Sequence, residues 1–509
     1  MYRNLKAKLA KRDESVESTE GKNLSPLKTL EYFARVSPES VALINEKRTL
    51  TFAQLNSLVR QFAIKFRDLG IEPGDFVVTK LPVTLDWIST LALMSLGAIT
   101  CSKAGRAEID STFDVRFLIS DGSLVWKNTE TIIMNDSWLH EAEQVDPNHL
   151  VEPQLDRDSS ARVVFTNGTL SNPKAVALSL SAINERINHN KRSWLNEKSV
   201  MTLMDLSSAL GFLTFYSLLS RGEKIVTTSQ FNLDVVRMAI SQEIEVFVAS
   251  TLRVLQLMEL LKRTESMLPK LRKIVISGNV PTLAVLQQVK KTLGVEVQNV
   301  YSSIECGNVS LLSVNSKVEA GDMGWIYPDT QVKIVNAKSE TLVQGMQGRI
   351  ATRTSSMVFE YFRTAQPNRN VFEDGWFFSG DIGYVTEDGR LMITGRESEL
   401  ISVGKLRVNS QSIEELVLDY AGVVDCAAFG LTSRSEEPAL GVAIAGDKDL
   451  NLKLMSEALA RELGEMAPTR YFVTDSIPRD LNGRVQKALL LEALNKKIAK
   501  RDKGQGESQ

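Results

Sequence analysis

At 509 residues the chain exceeds what one hydrophobic core fills, and its length points to roughly two to four domains. Its 43% apolar and 24% charged residues are those of an ordinary globular protein, and a net charge of −2 excludes the strongly basic footprint of a general nucleic-acid binder. Three scattered cysteines (Cys101, Cys306, Cys426) and three scattered histidines (His140, His149, His189) supply no disulfide framework, zinc spacing or histidine-centred triad, and they suit a reducing compartment.

Residues 1–25 are charged and rich in Ser and Glu, which reads as a mobile tail. Lys and Arg recur there with no apolar stretch behind them, so no signal peptide is expected. The most apolar window, Trp87 to Cys101, is too short and too rich in Ser and Thr to span a bilayer. The expectation is a cytoplasmic protein without a membrane span.

The spacing predicts a helix from Pro26, a short hairpin over Val41–Leu43 and Leu50–Phe52, and an amphipathic helix over Gln54–Leu69. Strand Phe76–Lys80, helix Thr84–Leu96 and strand Ala98–Cys101 follow with short connections, a pattern that implies a partly parallel sheet. Strand Arg162–Thr166 and helices over Ser179–Asn196 and Leu210–Ser220 continue it. Helix and strand then alternate through Lys224–Thr228, Asp234–Ile244, Val246–Ser250, Leu252–Arg263, Lys273–Ser277, Leu283–Leu293 and Glu296–Tyr301. From about Gly324 strands are separated by turns (Gln331–Val335, Gly348–Thr354, Met357–Tyr361), which predicts a β-rich subdomain. A break near Gly395–Ile401 leads into a smaller unit with helices over Ser412–Tyr420, Leu452–Glu465 and Lys487–Lys496 and strands at Val423–Leu431, Ala439–Ala445 and Arg470–Val473. The expected division is a tail over 1–25, a large domain over 26–396, a small domain over 400–497 and a disordered tail over 498–509.

The most informative stretch is Asp374 to Arg396, DGWFFSGDIGYVTEDGRLMITGR. Gly380 and Gly383 flank Asp381, so a tight bend can hold that carboxylate out at a strand end. A Glu-Asp-Gly turn then leads into a second strand ending at Arg396, which makes a β-hairpin. An acid and an arginine so placed suit a polyhydroxylated anion, with the Asp accepting from vicinal hydroxyls and the Arg on a phosphate. A surface hairpin with a solvated Asp fits the same residues.

This stretch resembles the ribose-binding and hinge motifs of the AMP-forming adenylating superfamily, which includes acyl-CoA synthetases, peptide-synthetase adenylation domains and luciferases. The resemblance covers nearly the whole chain in motif order, beginning with LTFAQL at Leu50–Leu55. It implies an α/β fold: a large N-terminal domain of two mixed sheets plus a β-rich subdomain, and a small mobile C-terminal α+β domain.

Val163–Ser179 (VVFTNGTLSNPKAVALS) resembles the family's phosphate loop. The resemblance implies Thr166, Asn167, Gly168 and Thr169 on the nucleotide phosphates, with Lys174 supplying charge. Asn167, Leu170, Ser171 and Ala175 stand where the family has Ser, Thr, Gly and Gly. Ile274–Pro281, with Gly278, resembles the segment lining the adenine pocket; a strand-to-helix turn fits it as well. In Asn299-Val-Tyr-Ser-Ser-Ile-Glu305, resembling Asn-x-Tyr-Gly-x-Thr-Glu, Tyr301 is implied on the adenine face beside Asn299 and Ser302. Glu305 is implied on Mg2+ together with Thr169. A helix-start carboxylate is the alternative for Glu305, and Ile304 replaces the usual Thr.

Asp381 is then implied on the ribose hydroxyls and Arg396 on ribose and phosphate. Gly395–Val408 resembles the hinge and thiolation loop, with Glu399 at the hinge and Lys405 where a Gly lines the pantetheine tunnel; that Lys either narrows the tunnel or pairs with a phosphate. Pro478–Lys487 resembles the C-terminal catalytic motif. There Arg484 takes the place of the transition-state Lys, and Lys487, about one helical turn on, is a stand-in. Arg and Lys differ in shape and reach, so the exchange is not conservative. Met204-Asp-Leu-Ser207 resembles the Phe-Asp-x-Ser of amino-acid activators, with Asp205 on a substrate amine or, alternatively, capping the next helix. Ser208, Ser302 and Gly278 would add small walls to the acid pocket.

Two functions remain open. One is an AMP-forming ligase that uses ATP and Mg2+ to activate a small carboxylic acid (amino, aryl or acyl) and passes it to CoA or to a carrier protein in trans. The other is a non-adenylating relative acting as a nucleotide- or acyl-binding scaffold. The departures at Asn167, Leu170, Ser171, Ile304, Lys405 and Arg484 favour the second; the presence together of Lys174, Tyr301, Glu305, Asp381 and Arg396 favours the first.

Overall fold

The computed structural model describes residues 25–103, 113–126, 129–151, 153–166, 174–193, 195, 197, 199–278, 280–315, 317–364, 370–403, 406–418, 420–431, 439–447, 450–479, 485–487 and 489–494. Asn167, Gly168, Thr169, Leu170, Ser171, Gly404, Lys405, Arg484 and both chain ends therefore lie outside the described residues.

Two sheets organise the large N-terminal part. In the six-stranded sheet, Glu130–Ile133, Phe117–Ser120, Phe76–Lys80, Ile99–Ser102 and Ser160–Phe165 run parallel, and Ala175–Ser179 closes the edge antiparallel to Ser160–Phe165. The parallel strands at its centre are buried along their length, as runs such as FVVT and ITCS require of strands covered on both faces. The second sheet has fourteen strands, two of them short antiparallel additions, Thr49–Thr51 on Val41–Ile44 and Phe372–Glu373 on Trp376–Val385. One half is parallel: Val41–Ile44, Ile225–Val226, Val200–Thr202, Val246–Ala249, Lys273–Ser277 and Glu296–Ser303. The other is antiparallel: Gly307–Ser313, Asp322–Ile326, Arg390–Arg396, Trp376–Val385, Gly348–Arg353 and Gln331–Val335. The expected β-rich region is thus continuous with the second α/β sheet. Glu296–Ser303 is where the pairing changes sense, and the candidate site gathers at its end.

Helices begin where the chain offers caps. Thr51 and Gln54 form a reciprocal capping box at the start of Phe52–Asp68, and Ser250 and Thr282 cap Thr251–Arg263 and Leu283–Leu293. Between the sheets, Trp87 meets Phe212, Phe215 and Tyr216 edge-on. Fully buried Arg162 stands among these residues with its guanidinium 4.8 Å from the Phe212 ring. It donates to Ser102 Oγ (2.8 Å), Thr100 Oγ1 (3.3 Å) and Leu206 O (2.6 Å), which ties the six-stranded sheet to the Met204–Ser208 loop.

The smaller C-terminal part has a hairpin, Leu400–Val403 with Leu406–Asn409, and a three-stranded sheet of Val423–Leu431, Ala439–Gly446 and Arg470–Val473. Ser410–Leu418 and Leu452–Leu463 pack their apolar faces on that sheet through Ile413, Val417, Met455 and Leu459. No helix among the described residues is long and apolar enough to cross a membrane.

Several expectations need correction. Ala175–Ser179 is a strand, so the candidate phosphate loop joins two antiparallel strands, and the helix starts only at Leu180. Met357–Tyr361 is not a strand: its main-chain groups go to other parts of the candidate site. Strands Phe117–Ser120, Glu130–Ile133, Gly307–Ser313 and Asp322–Ile326 were not expected. Asp381 lies within the ten-residue strand Trp376–Val385, not at a strand end. The strand bends there instead, with Gly380 at φ +80° and a register shift between Ile382 and Gly383.

Candidate functional site

Antiparallel register places Asp381 opposite Arg396 across the hairpin. Arg396 Nε stands 3.5 Å from Asp381 Oδ1, and Nη2 donates to Ser379 O at 3.0 Å. Asp381 is 7% exposed. Tyr301, from the last turn of strand Glu296–Ser303, donates its hydroxyl to Asp381 Oδ2 and lies 3.2 Å from Ser379 Oγ. Burial and the Asp381 anion push the Tyr301 phenol well above its usual range, so it remains a donor. Burial works against the Arg396 charge, but Asp381, Glu399, Tyr301 and Glu305 together more than offset it and raise its pKa.

Glu305 lies in the tight turn between Glu296–Ser303 and Gly307–Ser313, which removes the helix-start alternative. It is 7% exposed and accepts from the Tyr361 hydroxyl at 2.8 Å. The main chain behind it is pinned by buried Arg186, whose Nη1 donates to Ile304 O (2.8 Å) and Nη2 to Glu305 O (3.2 Å) and Ser356 O (2.9 Å). Burial lowers the Arg186 pKa to about 10, still far above neutrality. Lys174 and Thr166 close the base of the phosphate loop: Thr166 N donates to Lys174 O (2.8 Å) and Lys174 N to Thr166 Oγ1 (3.1 Å). Lys174 Nζ sits 4.6 Å from the centre of the Tyr361 ring. Tyr361 thus touches both Lys174 and Glu305.

The other expected residues are placed as follows. Ser302 Oγ is 3.0 Å from Ser277 Oγ, beside Gly278 at φ +107°. Asn299 is buried on Met323 (Nδ2 to Sδ 3.6 Å), inside the sheet. Asp205 is exposed, and only its carbonyl is engaged, by Ser208 N (3.1 Å) and Oγ (2.8 Å). Ser208, not Asp205, caps helix Ala209–Leu219 through Gly211 N at 3.0 Å. Glu399 ends a 3-10 turn, Glu397–Glu399, and Glu397 pairs with Arg349 at 3.1 Å. Among the described residues no hydrogen bond or ion pair joins Lys487 to Lys174, Glu305 or Arg396.

In the small part, Arg479 grips Asp425 with Nε (3.0 Å) and Nη2 (2.6 Å). Gln486 N donates to Pro478 O at 2.8 Å and anchors the chain at that point. Glu414, which accepts from Ala428 N at 2.8 Å, lies next to this anchor. Burial and Glu399 raise its pKa to about 7, against the pull of Arg479 and Lys487. The folded state therefore keeps a proton that the unfolded chain releases near pH 4.5. Stability from this group is full below that pH and falls as pH rises to 7, by about 2–3 kcal/mol. Denaturant melts between pH 4.5 and 8 check this: Glu414→Gln flattens that part of the profile.

Sequence reasoning missed Tyr361, Arg186 and Ser379. Only Ser379, two residues before Asp381, carried a local signal.

A family model described as "AMP-binding enzyme" matches residues 30–362. A 4-chlorobenzoate–CoA ligase of Arthrobacter sp is 24% identical, over 91% of this chain and 94% of its own length. A much longer Aspergillus candidus protein named chalcone synthase cfoA is 25% identical over 91% of this chain, which spans 19% of it. Among solved structures, o-succinylbenzoate CoA synthetase of Bacillus subtilis with its acyl-adenylate superposes at a TM-score of 0.78 with 20% identity, over 91% of this chain and 97% of that one. The same protein with ATP and magnesium gives 0.77 with 21% identity, over 90% and 98%. The large and small parts follow the order seen in that fold, and the matched model takes in Lys174, Tyr301, Glu305 and Tyr361; on that ground the chain belongs to the AMP-binding enzyme family.

Proposed function

We propose that this protein is an AMP-forming ligase that activates a carboxylic acid with Mg·ATP and passes the acyl group to CoA. The observation that carries this reading is the convergence of two buried carboxylates, Asp381 and Glu305, with Arg396, Lys174 and Tyr301 at the end of one strand. A scaffold has no need of this charge pattern. Asp381 would accept from the ribose hydroxyls, Tyr301 would lie against the base, and Arg396 and Lys174 would meet the phosphates. The donor set suits Mg2+, because a buried carboxylate with a free oxygen is a hard anionic ligand. Glu305, with Thr169, would hold the ion, which supplies charge neutralisation at the triphosphate.

The acid's carboxylate would attack the α-phosphate and pyrophosphate would leave. The thiol would then attack the acyl carbon and release AMP. The small domain, 400–497, would rotate against the large one, 26–396, about Glu399 between these steps. The relatives' names favour CoA over a carrier protein and aromatic acids among the substrates. Incubation with ATP, a panel of aryl, amino and fatty acids, and either CoA or a phosphopantetheine carrier tests this by mass spectrometry of the thioester. A CoA thioester is expected. Carrier loading alone would overturn the acceptor, and no thioester from any acid would favour the scaffold.

Arg484 carries the transition-state role in this reading, with a planar fork where a flexible ammonium fits better. Arg484→Lys is expected to raise the acid-activation rate about tenfold, part of the two to three orders that one such donor supplies. An unchanged rate would mean that Arg484 does not reach the reacting phosphate.

A further inference from the structure

The segment from Ser356 to Phe362 has no regular structure, yet it is bonded at both ends of the candidate phosphate site. Val358 N donates to Glu305 O at 2.9 Å, and Phe362 N donates to Ala175 O, next to Lys174, at 2.8 Å. Glu305 lies in a turn between two neighbouring strands of the fourteen-stranded sheet and Ala175 in a strand of the six-stranded one, so this strap joins the two. Tyr361 occupies its inner side at 6% exposure, its ring held edge-on to Phe372 at 5.4 Å. Its hydroxyl donates to Glu305 Oε1 and its ring face lies under Lys174 Nζ. Burial and the neighbouring Glu305 raise its pKa, so the phenol stays a donor throughout the physiological range.

We propose that Tyr361 is a positioning residue for the metal–triphosphate: its hydroxyl aims the Glu305 carboxylate while its ring parks the Lys174 ammonium. One rigid side chain then sets the spacing of the anion that holds the metal and the cation that meets the phosphates. The hydroxyl takes up one lone pair of Oε1, and among the described residues no hydrogen bond or ion pair engages Oε2, which leaves that oxygen for a cation. The ring's hold on Lys174 is weak enough to yield to a phosphate: cation–π contacts at exposed sites are worth about two- to fivefold in affinity. A donor to a charged acceptor is worth about tenfold or more. The proposal rests on the nucleotide-binding reading above.

Tyr361→Phe separates the two contacts, because it keeps the ring and removes the donor. The measurement is ATP affinity by calorimetry, with EDTA and with Mn2+, alongside the electron paramagnetic resonance of bound Mn2+. Tyr361→Phe is expected to bind metal-free ATP as the wild type does and Mn2+·ATP about tenfold more weakly. Tyr361→Leu is expected to weaken both. In a Glu305→Gln background, removing the hydroxyl is expected to make no further difference to metal binding. Wild-type affinity for Mn2+·ATP in Tyr361→Phe, or an equal loss in both backgrounds, would overturn the positioning role and leave the nucleotide reading intact. Wild-type protein that binds no ATP with or without metal would overturn both.

Discussion

Asp381→Ala is expected to lower the affinity for Mg·ATP by about two to three orders of magnitude, because in the proposed binding mode two ribose hydroxyls would lose a charged acceptor. The protein itself pays less, since Arg396 keeps Ser379 O and Tyr301 keeps Ser379 Oγ as partners. Calorimetric titration of the variant against the wild type checks the affinity, and a thermal melt checks that the fold persists. Affinity within about threefold of wild type would place the sugar elsewhere. Asp381→Asn sharpens the test. It retains shape and one acceptor but loses the charge, so an intermediate affinity is expected.

Arg162→Met destabilises the large domain by about 3–5 kcal/mol, because the buried acceptors Ser102 Oγ, Thr100 Oγ1 and Leu206 O all lose their donor. Asp86, also buried, accepts from Thr79, and burial raises its pKa while the Arg162 charge draws it down. Met fills much of the volume, so the loss is one of hydrogen bonds more than of packing. Denaturant unfolding followed by tryptophan fluorescence reads it, with Trp87 close by. The Met204–Ser208 loop also loses its donor at Leu206 O, so any acid substrate bound there should show a higher KM. A variant as stable as the wild type would mean that these three hydrogen bonds contribute nothing to the fold.

How far the sequence reached depended on whether a contact was local. The hairpin ending at Arg396 was legible because acid, turn and arginine lie on two adjoining strands, and antiparallel pairing brings them opposite each other. The parallel core was legible from short apolar runs alternating with capped helices. The strand Ala175–Ser179 was not, because five small and apolar residues running into a helix have no period of their own. Met357–Tyr361 resembled a strand in composition, but Val358 N donates to Glu305 O, Met357 N to Thr354 O, and the neighbouring Phe362 N to Ala175 O. Tyr361 is 56 positions from Glu305, and Arg186 is 118 from Ile304. No spacing rule reaches that far. The family resemblance supplied roles for residues on its motifs and none for these two, which lie between motifs. Asp205 was read as a substrate-amine ligand or as the cap of the next helix; the cap is Ser208, three residues on, and the Asp205 carboxylate is exposed.

In the proposed reaction a nucleotide held between Asp381 and Glu305 is attacked by a carboxylate. Acid-dependent exchange of labelled pyrophosphate into ATP tests it most directly, because the exchange needs adenylation alone and no thiol. Exchange with at least one acid of an aryl, amino and fatty-acid panel, abolished by Asp381→Ala, is the expected result. Folded protein that binds Mg·ATP yet exchanges with none of them would contradict it.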